Sequence, residues 1–343
     1  MKLKNFAFLA VAAVLALMTT ESAAKDGDGL KYISTRGEIR CGTDLSTQTY
    51  AHKDEYGEWK GFDADICRLF SLAIFGDSSH FKLVHVSAPE ISQALADNKI
   101  DVMLGNTALS AAYEMKSKAN AAEILYYDRQ MFLAEAKPGA KSMEAYRGSK
   151  VCAVGNSEAA NNIRNYSRKY ELDLKILPFR SAAEAKAGFY LKRCQLLTGN
   201  ETYLRGLAKT VKTSNSRSVV LPEVIAQRPV YAYVSRDNNQ LRLIAKWILN
   251  APRIAEEEGM NAQNIKIFIG NTDNSIRNLL GDSPDLWQAF GLRPDWVKKA
   301  ISELGNYGEI YERNLGKDSP LKIDRDQNNL IKNDGLIQAL PFL

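Results

Sequence analysis

The chain has 343 residues, of which 45% are hydrophobic and 25% are charged, a composition typical of a globular protein long enough for two domains. Its net charge of +5 comes from 45 basic and 40 acidic residues that are scattered among one another. No one-sided basic stripe is present, so the sequence excludes nucleic acid as an expected partner.

The N-terminal segment has the pattern of a secretory signal peptide. Lys2 and Lys4 precede an apolar run of 13 residues at 6–18, and small residues follow at 22–24. A membrane-spanning helix needs about 20 apolar residues, so this run is too short to serve as an anchor. We expect export with cleavage after Ala24, and a mature chain without a membrane span.

Strands and helices alternate along the first two thirds of the chain. Apolar periodicity and capping signals, such as Ser87 with Glu90, mark their limits. The predicted strands are 38–42, 81–86, 100–104, 151–154, 174–177 and 194–198, and the predicted helices are 61–76, 87–98, 157–170, 182–191 and 201–211. This alternation predicts an α/β protein with two lobes of parallel strands and crossover helices, and ligands bind beyond the carboxyl ends of such strands.

The four cysteines, Cys41, Cys67, Cys152 and Cys194, indicate two disulfides in an exported chain. No Cys-x-x-Cys motif or histidine cluster accompanies them, so we expect no metal site. Sequence alone allows three connectivities. Local pairing of 41 with 67 and of 152 with 194 is the economical one, and each loop would stabilise the fold by about 3 kcal/mol.

Six segments of the chain are similar to motifs of a known family. They read RGEIRCGTD, GEWKGFDADICRLF, YYDRQMF, LPEVI followed by RPV, GNYGEIYERNLGKDSPLKI and GLIQALP. In this order they resemble the general L-amino-acid-binding periplasmic proteins of bacterial ABC uptake systems, over residues from about 30 to 343. The resemblance implies a periplasmic solute-binding protein that is not an enzyme and needs no cofactor. It also implies a small-molecule solute and an inner-membrane ABC permease as partners, and we expect a monomer.

The resemblance implies a type II-like periplasmic binding protein clamshell, with two parallel or mixed sheets joined by two hinge strands. The implied divisions are 25–132 with 232–343 for lobe 1, 137–227 for lobe 2, and hinge strands near 132–137 and 227–232. The family's cysteine positions match those of this chain, which favours the local disulfide pairing.

Members of this family are similar in how they hold an amino acid. Lobe 1 presents hydroxyls and an arginine to the α-carboxylate, and lobe 2 adds a glycine-threonine turn and an aspartate for the α-ammonium. A zwitterion that leaves water needs a partner of opposite sign for each charge. The resemblance places these residues at the ligand: Tyr50, Asn106, Thr107, Ser110, Tyr113, Asn156, Ser157, Glu158 and Asn200.

This chain departs from the family's clamp at several positions. Tyr113 stands in the arginine slot, Glu158 in a threonine slot and Asn200 in the aspartate slot, and Ala108 replaces another threonine. Losing one partner of a buried charged contact costs about 2 to 5 kcal/mol, so we expect ordinary L-amino acids to bind with dissociation constants near or above the millimolar range. A nearby cation that could compensate is Lys116, Arg129 or Arg228. The alternative is a diverged binding-fold protein with an amine or neutral ligand, or with a partner-binding role.

Two acidic residues open the helix predicted at 61–76. Asp63 and Asp65 are interpreted as cap and dipole partners rather than as a pair of catalytic acids. No nucleophile–base pair, metal motif or phosphate loop stands out elsewhere, which disfavours catalysis.

Overall fold

This computed structural model describes residues 29–45, 49–105, 111–140, 142–210, 218–283 and 285–342. Within these ranges no helix is both long enough and apolar enough to cross a membrane. The predicted signal peptide and its cleavage point lie outside the described residues.

The strands and helices alternate as the sequence predicts, with ends that differ by a few residues. The strands are β1 (Ile39–Thr43), β2 (His52–Lys53), β3 (Trp59–Lys60), β4 (Phe81–His85), β5 (Val102–Met103), β6 (Ala119–Glu135), β7 (Lys150–Val154), β8 (Lys175–Phe179), β9 (Leu196–Asn200), β10 (Ser218–Val220) and β11 (Ala226–Ser235). The helices are α1 (Gly29–Arg36), α2 (Phe62–Phe75), α3 (Ile91–Ala96), α4 (Ala111–Lys116), α5 (Glu158–Lys169), α6 (Ala182–Tyr190), α7 (Glu201–Thr210), α8 (Asn239–Glu257), α9 (Asn274–Leu279), α10 (Asp285–Ala289), α11 (Trp296–Leu304) and α12 (Tyr307–Asn314).

Two long antiparallel strands, β6 and β11, connect the halves of the sheet. In the described residues nine strands form one hydrogen-bonded sheet in the order β4-β1-β5-β11-β6-β9-β7-β8, with β10 also paired to β6. β1 runs parallel to β4 and β5, and β7 runs parallel to β8 and β9. We call the half that contains β4, β1 and β5 lobe 1, and the half that contains β9, β7 and β8 lobe 2. The two predicted sheets are therefore continuous through β6 and β11.

Local signals explain where several helices begin and end. α2 ends at Gly76, which adopts the left-handed conformation and donates its N–H to Leu72 O. The predicted capping box of Ser87 and Glu90 is present, although the first turn after it is a 3-10 helix. Ser157 caps α5, because its side chain accepts a hydrogen bond from the Ala160 N–H.

Each lobe has its own hydrophobic core. The core of lobe 1 includes Phe62 and Phe70 of α2 together with Trp287 and Trp296 from the C-terminal third. Lobe 2 has one cluster on each face of its sheet, one around Phe132 and the other around Leu133. Adjacent residues of β6 therefore pack on opposite faces, as the two-residue period of a strand requires.

The two disulfides have the local pairing that the sequence favours. Cys41 of β1 is joined to Cys67 of α2, with 6.1 Å between their Cα atoms, and Cys152 of β7 is joined to Cys194, with 5.7 Å. Each bridge joins a strand to a neighbouring segment of the same lobe. Neither bridge therefore restricts movement of one lobe relative to the other.

The C-terminal third packs on lobe 1. Leu330, Ile337 and Phe342 belong to the same core as α2 and α8. The long motif that suggested the family forms α12 and the segment after it, and α12 begins with a capping box between Asn306 and Glu309.

Candidate functional site

The candidate site lies where strands of the two lobes end beside β6 and β11. Tyr50 follows β1 in lobe 1, whereas Glu158 follows β7 and Asn200 ends β9 in lobe 2. Parallel α/β sheets commonly bind ligands beyond these carboxyl ends. Asp128 and Arg228 lie opposite each other in the pairing of β6 with β11, so the two connecting strands add one carboxylate and one guanidinium.

A chain of three buried polar side chains links the lobes. The Thr202 hydroxyl donates to Asp128 Oδ2 at 2.6 Å, and the Tyr50 hydroxyl lies 3.1 Å from the same Thr202 oxygen. Tyr50 is 2% exposed and Asp128 is 3% exposed. Burial raises the pKa of Asp128 to about 6, against the opposing effect of the hydrogen bond from Thr202. Tyr50 of lobe 1 therefore contacts Thr202 of lobe 2.

Arg228 contacts two of the substituted clamp positions, Asn200 and Glu158. Its Nη2 donates to Asn200 Oδ1 at 2.5 Å, and its Nη1 lies 4.0 Å from Glu158 Oε2. The Arg228 side chain is 29% exposed and the Glu158 side chain 57% exposed, so both groups are accessible from solvent. A guanidinium and a carboxylate thus stand side by side next to the end of β9, and a zwitterionic ligand needs one group of each sign.

The turn before α5 uses one predicted ligand residue for local structure. The Ser157 hydroxyl caps α5 and also donates to Val154 O at 2.7 Å. Asn156 is exposed and has a positive φ of 54°, a conformation that asparagine tolerates better than most residues. The turn presents Glu158 in the first turn of α5, close to Arg228.

Tyr113, the residue in the arginine slot, packs in lobe 1. Its ring meets that of Tyr233 edge-on, with 5.7 Å between the ring centres. The half-buried Tyr113 joins a hydrophobic cluster that includes Met103, and burial raises the pKa of its hydroxyl. The ring of Tyr113 therefore packs at least in part against the core of lobe 1.

Two groups of residues from the sequence analysis remain, which are the segment around Asn106 and the three candidate replacement cations. Asn106, Thr107 and Ser110, together with Ala108, lie outside the described residues. Of the three cations considered as replacements, Lys116 is exposed at the end of α4, and Arg129 forms ion pairs of 2.6 Å with Glu201 and 2.9 Å with Asp326. Arg228 is the one of these three that contacts the substituted positions Glu158 and Asn200.

The interpretation of Asp63 as a helix cap is wrong. Gly61 is the N-cap of α2, and no side chain makes a capping hydrogen bond there. Asp63 is 1% exposed and accepts a hydrogen bond from the Thr43 hydroxyl at 2.5 Å, while its Oδ1 has no hydrogen-bond partner among the described residues. Burial raises the pKa of Asp63 to about 7, although the hydrogen bond from Thr43 opposes this effect.

Asp65 is engaged in a different network. Its carboxylate pairs with Arg68 at 3.0 Å and with Arg313 at 2.8 Å. Arg313 belongs to α12, so this carboxylate ties the start of α2 to the C-terminal third of the chain.

Sequence reasoning missed Thr202 and Asp128. Asp128 lies within YYDRQMF, one of the segments that resemble the family, and that segment was the available signal. Thr202 lies in the first turn of a predicted helix, where its role as a link to Tyr50 has no local signature.

Within the described residues no group of three or more histidine, cysteine, aspartate or glutamate side chains could hold a metal ion.

Known proteins of similar sequence cover almost the whole chain, although no family model matches it. YhdW of Escherichia coli strain K12, whose name places it among amino-acid ABC transporter-binding proteins, is 32% identical over 99% of both chains. The general L-amino acid-binding periplasmic protein AapJ of Rhizobium johnstonii is 30% identical, over 97% of this chain and 98% of AapJ.

A solved structure extends this similarity to the fold. It is an ABC transporter periplasmic binding protein from Brucella ovis with glutathione bound, and it is 31% identical to this chain. The match covers 92% of this chain and 99% of the Brucella chain, with a TM-score of 0.83. The predicted two-lobe α/β clamshell is confirmed.

Proposed function

Because the chain belongs to the family of periplasmic amino-acid-binding proteins of ABC transporters, we propose that it holds an amino-acid-type solute between its lobes and delivers it to an inner-membrane ABC permease. Members of this family are solute-binding proteins rather than enzymes, and they work with a membrane permease. The full-length similarity does not favour the alternative of a partner-binding or amine-binding protein. Cleavage after Ala24, the lobe boundaries and the monomeric state remain predictions.

The contact of Arg228 with Asn200 and Glu158 is the observation that carries the ligand proposal. Arg228 supplies the positive charge that Tyr113 lacks, and its planar guanidinium suits a carboxylate. Glu158 supplies the negative charge that Asn200 lacks, 4.0 Å from Arg228. The pair offers one group of each sign, the requirement of an α-carboxylate and an α-ammonium.

Glu158 therefore has a different role from the one its sequence position suggests. Alone at the start of α5, its carboxylate would compete with a ligand anion for the positive end of the helix. Arg228 lies beside it and offsets that charge. On this basis we propose that the α-carboxylate of the solute binds Arg228 and that its α-ammonium binds Glu158.

Two relatives indicate which solutes to test. AapJ is named for general L-amino acids, and the Brucella protein holds glutathione. Glutathione has a γ-glutamyl group with a free α-ammonium and α-carboxylate, so it carries the same zwitterion as an amino acid. Calorimetry of the purified mature protein against L-amino acids and glutathione therefore covers the proposed class.

The first prediction concerns the charged pair. We expect micromolar binding of at least one of these solutes, and we expect Arg228→Gln to weaken it at least about thirtyfold, the equivalent of losing a charged contact of about 2 kcal/mol. Glu158→Gln should weaken binding of an amino acid but not of the corresponding 2-hydroxy acid, which has no ammonium group. Arg164→Gln, an exposed arginine of α5, is the control with the same charge change.

Two results would contradict this assignment. If the wild-type protein binds these solutes only in the millimolar range, the sequence prediction of weak binding stands and Arg228 does not compensate. If binding is tight but Arg228→Gln leaves it unchanged, the carboxylate has another partner. Thermal unfolding of each variant separates loss of binding from loss of folding.

A further inference from the structure

A cavity of about 730 Å³ lies between the lobes, next to the contact of Tyr50 with Thr202. Lobe 1 contributes Thr49 and Lys60 to its wall, lobe 2 contributes Lys186 and Tyr203, and α12 and the segment after it complete the wall. None of the six predicted ligand residues that the structure describes lines it, and neither does Arg228. The cavity is within the usual size range of small-molecule sites.

The wall of this cavity is strongly basic. Its described residues include five lysine and arginine side chains, which are Lys60, Arg68, Lys186, Lys209 and Arg313. Among the described residues of the wall the one carboxylate is that of Asp65, and it already accepts hydrogen bonds from Arg68, Arg313 and Asn314. A concave surface lined by charges of one sign concentrates counter-ions, so this cavity attracts anions.

Three polar side chains of the wall, Lys60, Lys186 and His52, have few hydrogen-bond or ion-pair partners within the described residues. Lys186 is half-buried and forms no ion pair within the described part of the chain, and Lys60 pairs only with Asp54, at 3.5 Å. His52 Nδ1 is buried without a hydrogen-bond partner among the described residues. Buried polar atoms in native proteins usually have a partner, so the unpaired His52 Nδ1 marks a part of the wall whose polar groups the protein itself does not satisfy.

We propose that this cavity binds a small solute that carries two or more anionic groups, such as a polycarboxylate or a phosphate compound. One anionic group contacts Lys60 and Arg68 in lobe 1, and another contacts Lys186 in lobe 2. The site is separate from Arg228 and Glu158, and the proposal does not depend on the amino-acid ligand.

Binding here also couples to the arrangement of the lobes. An anion that contacts Lys60 and Lys186 together does so only while the two lobes face each other. A ligand with differential affinity for two arrangements shifts the population toward the one it prefers. The bound anion therefore favours the arrangement in which Tyr50 meets Thr202.

Calorimetry at constant ionic strength tests this site, with citrate and pyrophosphate as probes and acetate as the monovalent comparison. We expect at least one of the two probes, citrate or pyrophosphate, to bind with a stoichiometry of one. Acetate should bind much more weakly. The double variant Lys60→Gln with Lys186→Gln should lose at least about tenfold in affinity, because each lysine contributes part of the electrostatic attraction. Citrate binding alone assigns a polycarboxylate, and pyrophosphate binding alone assigns a phosphate compound.

The matched control is Lys99→Gln with Lys192→Gln, which removes one exposed lysine from each lobe outside the cavity. It should bind the probes like the wild type. The proposal is overturned if neither probe binds the wild type, if the cavity variant binds as well as the wild type, or if the control loses as much affinity as the cavity variant. Circular dichroism of both variants confirms that they are folded.

Discussion

Asp63 is a buried carboxyl group whose environment makes its ionisation unfavourable. Its pKa is raised from 3.8 to about 7, mainly by burial. Between these values the folded state binds more protons than the unfolded state, so the stability contributed by Asp63 falls as pH rises from about 4 to about 7. We expect Asp63→Asn to gain stability relative to the wild type across this window, as measured by urea unfolding at several pH values.

The exposed residue Asp237 provides the matched control for this experiment. Asp237→Asn makes the same chemical change outside the core, so its stability relative to the wild type should change much less between pH 4 and pH 7. The expectation is contradicted if the free energies of unfolding of Asp63→Asn and the wild type differ by a constant amount over the same pH range. Asp63 would then keep an ordinary pKa in the folded protein.

At the scale of elements, each disulfide closes a loop within one lobe. The sequence separations are 26 residues for Cys41–Cys67 and 42 residues for Cys152–Cys194. In the chain-entropy model such loops each contribute about 3 to 4 kcal/mol. We expect the serine double variant of either bridge to lose about this much stability in urea unfolding at neutral pH.

The combined variant without either bridge should lose an amount of stability about equal to the sum of the two single losses. The effects add because the bridges lie in different lobes and share no partner. A loss much smaller than this sum would indicate that the two lobes unfold separately and that only one of them sets the observed transition.

At the scale of the whole molecule, the lobes meet closely where α7 approaches the loop after β1. A Cβ atom added at Gly206 of α7 would overlap the Thr49 hydroxyl. We therefore expect Gly206→Ala to disfavour this arrangement of the lobes and to increase the radius of gyration measured by small-angle X-ray scattering. The affinity for the solute should fall with it, because the solute is held between the lobes.

Thr49→Ala supplies the internal control for this prediction, since it removes the side chain that the new methyl group would meet. The double variant should recover the radius of gyration and the affinity of the wild type. If Gly206→Ala is as compact as the wild type, rotation of Thr49 is enough to accommodate the methyl group, and the contact does not control closure.

The sequence alone determined the alternation of strands and helices, because apolar periodicity and caps such as Ser157 are local signals. It also indicated the disulfide pairing, through cysteine spacing and the resemblance to a family. The length of β6 was not predicted, since its 17 residues are held by partners on both sides that come from distant parts of the chain.

Only the tertiary structure decided which charged groups meet. Arg228 was one of three cations that the sequence left open, and the pairing of β11 with β6 and of β6 with β9 brings it to Asn200. The contact of Tyr50 with Thr202 likewise joins residues 152 positions apart. Local patterns report how each segment folds, whereas contacts between distant segments depend on strand order and register across the sheet, which no single segment encodes.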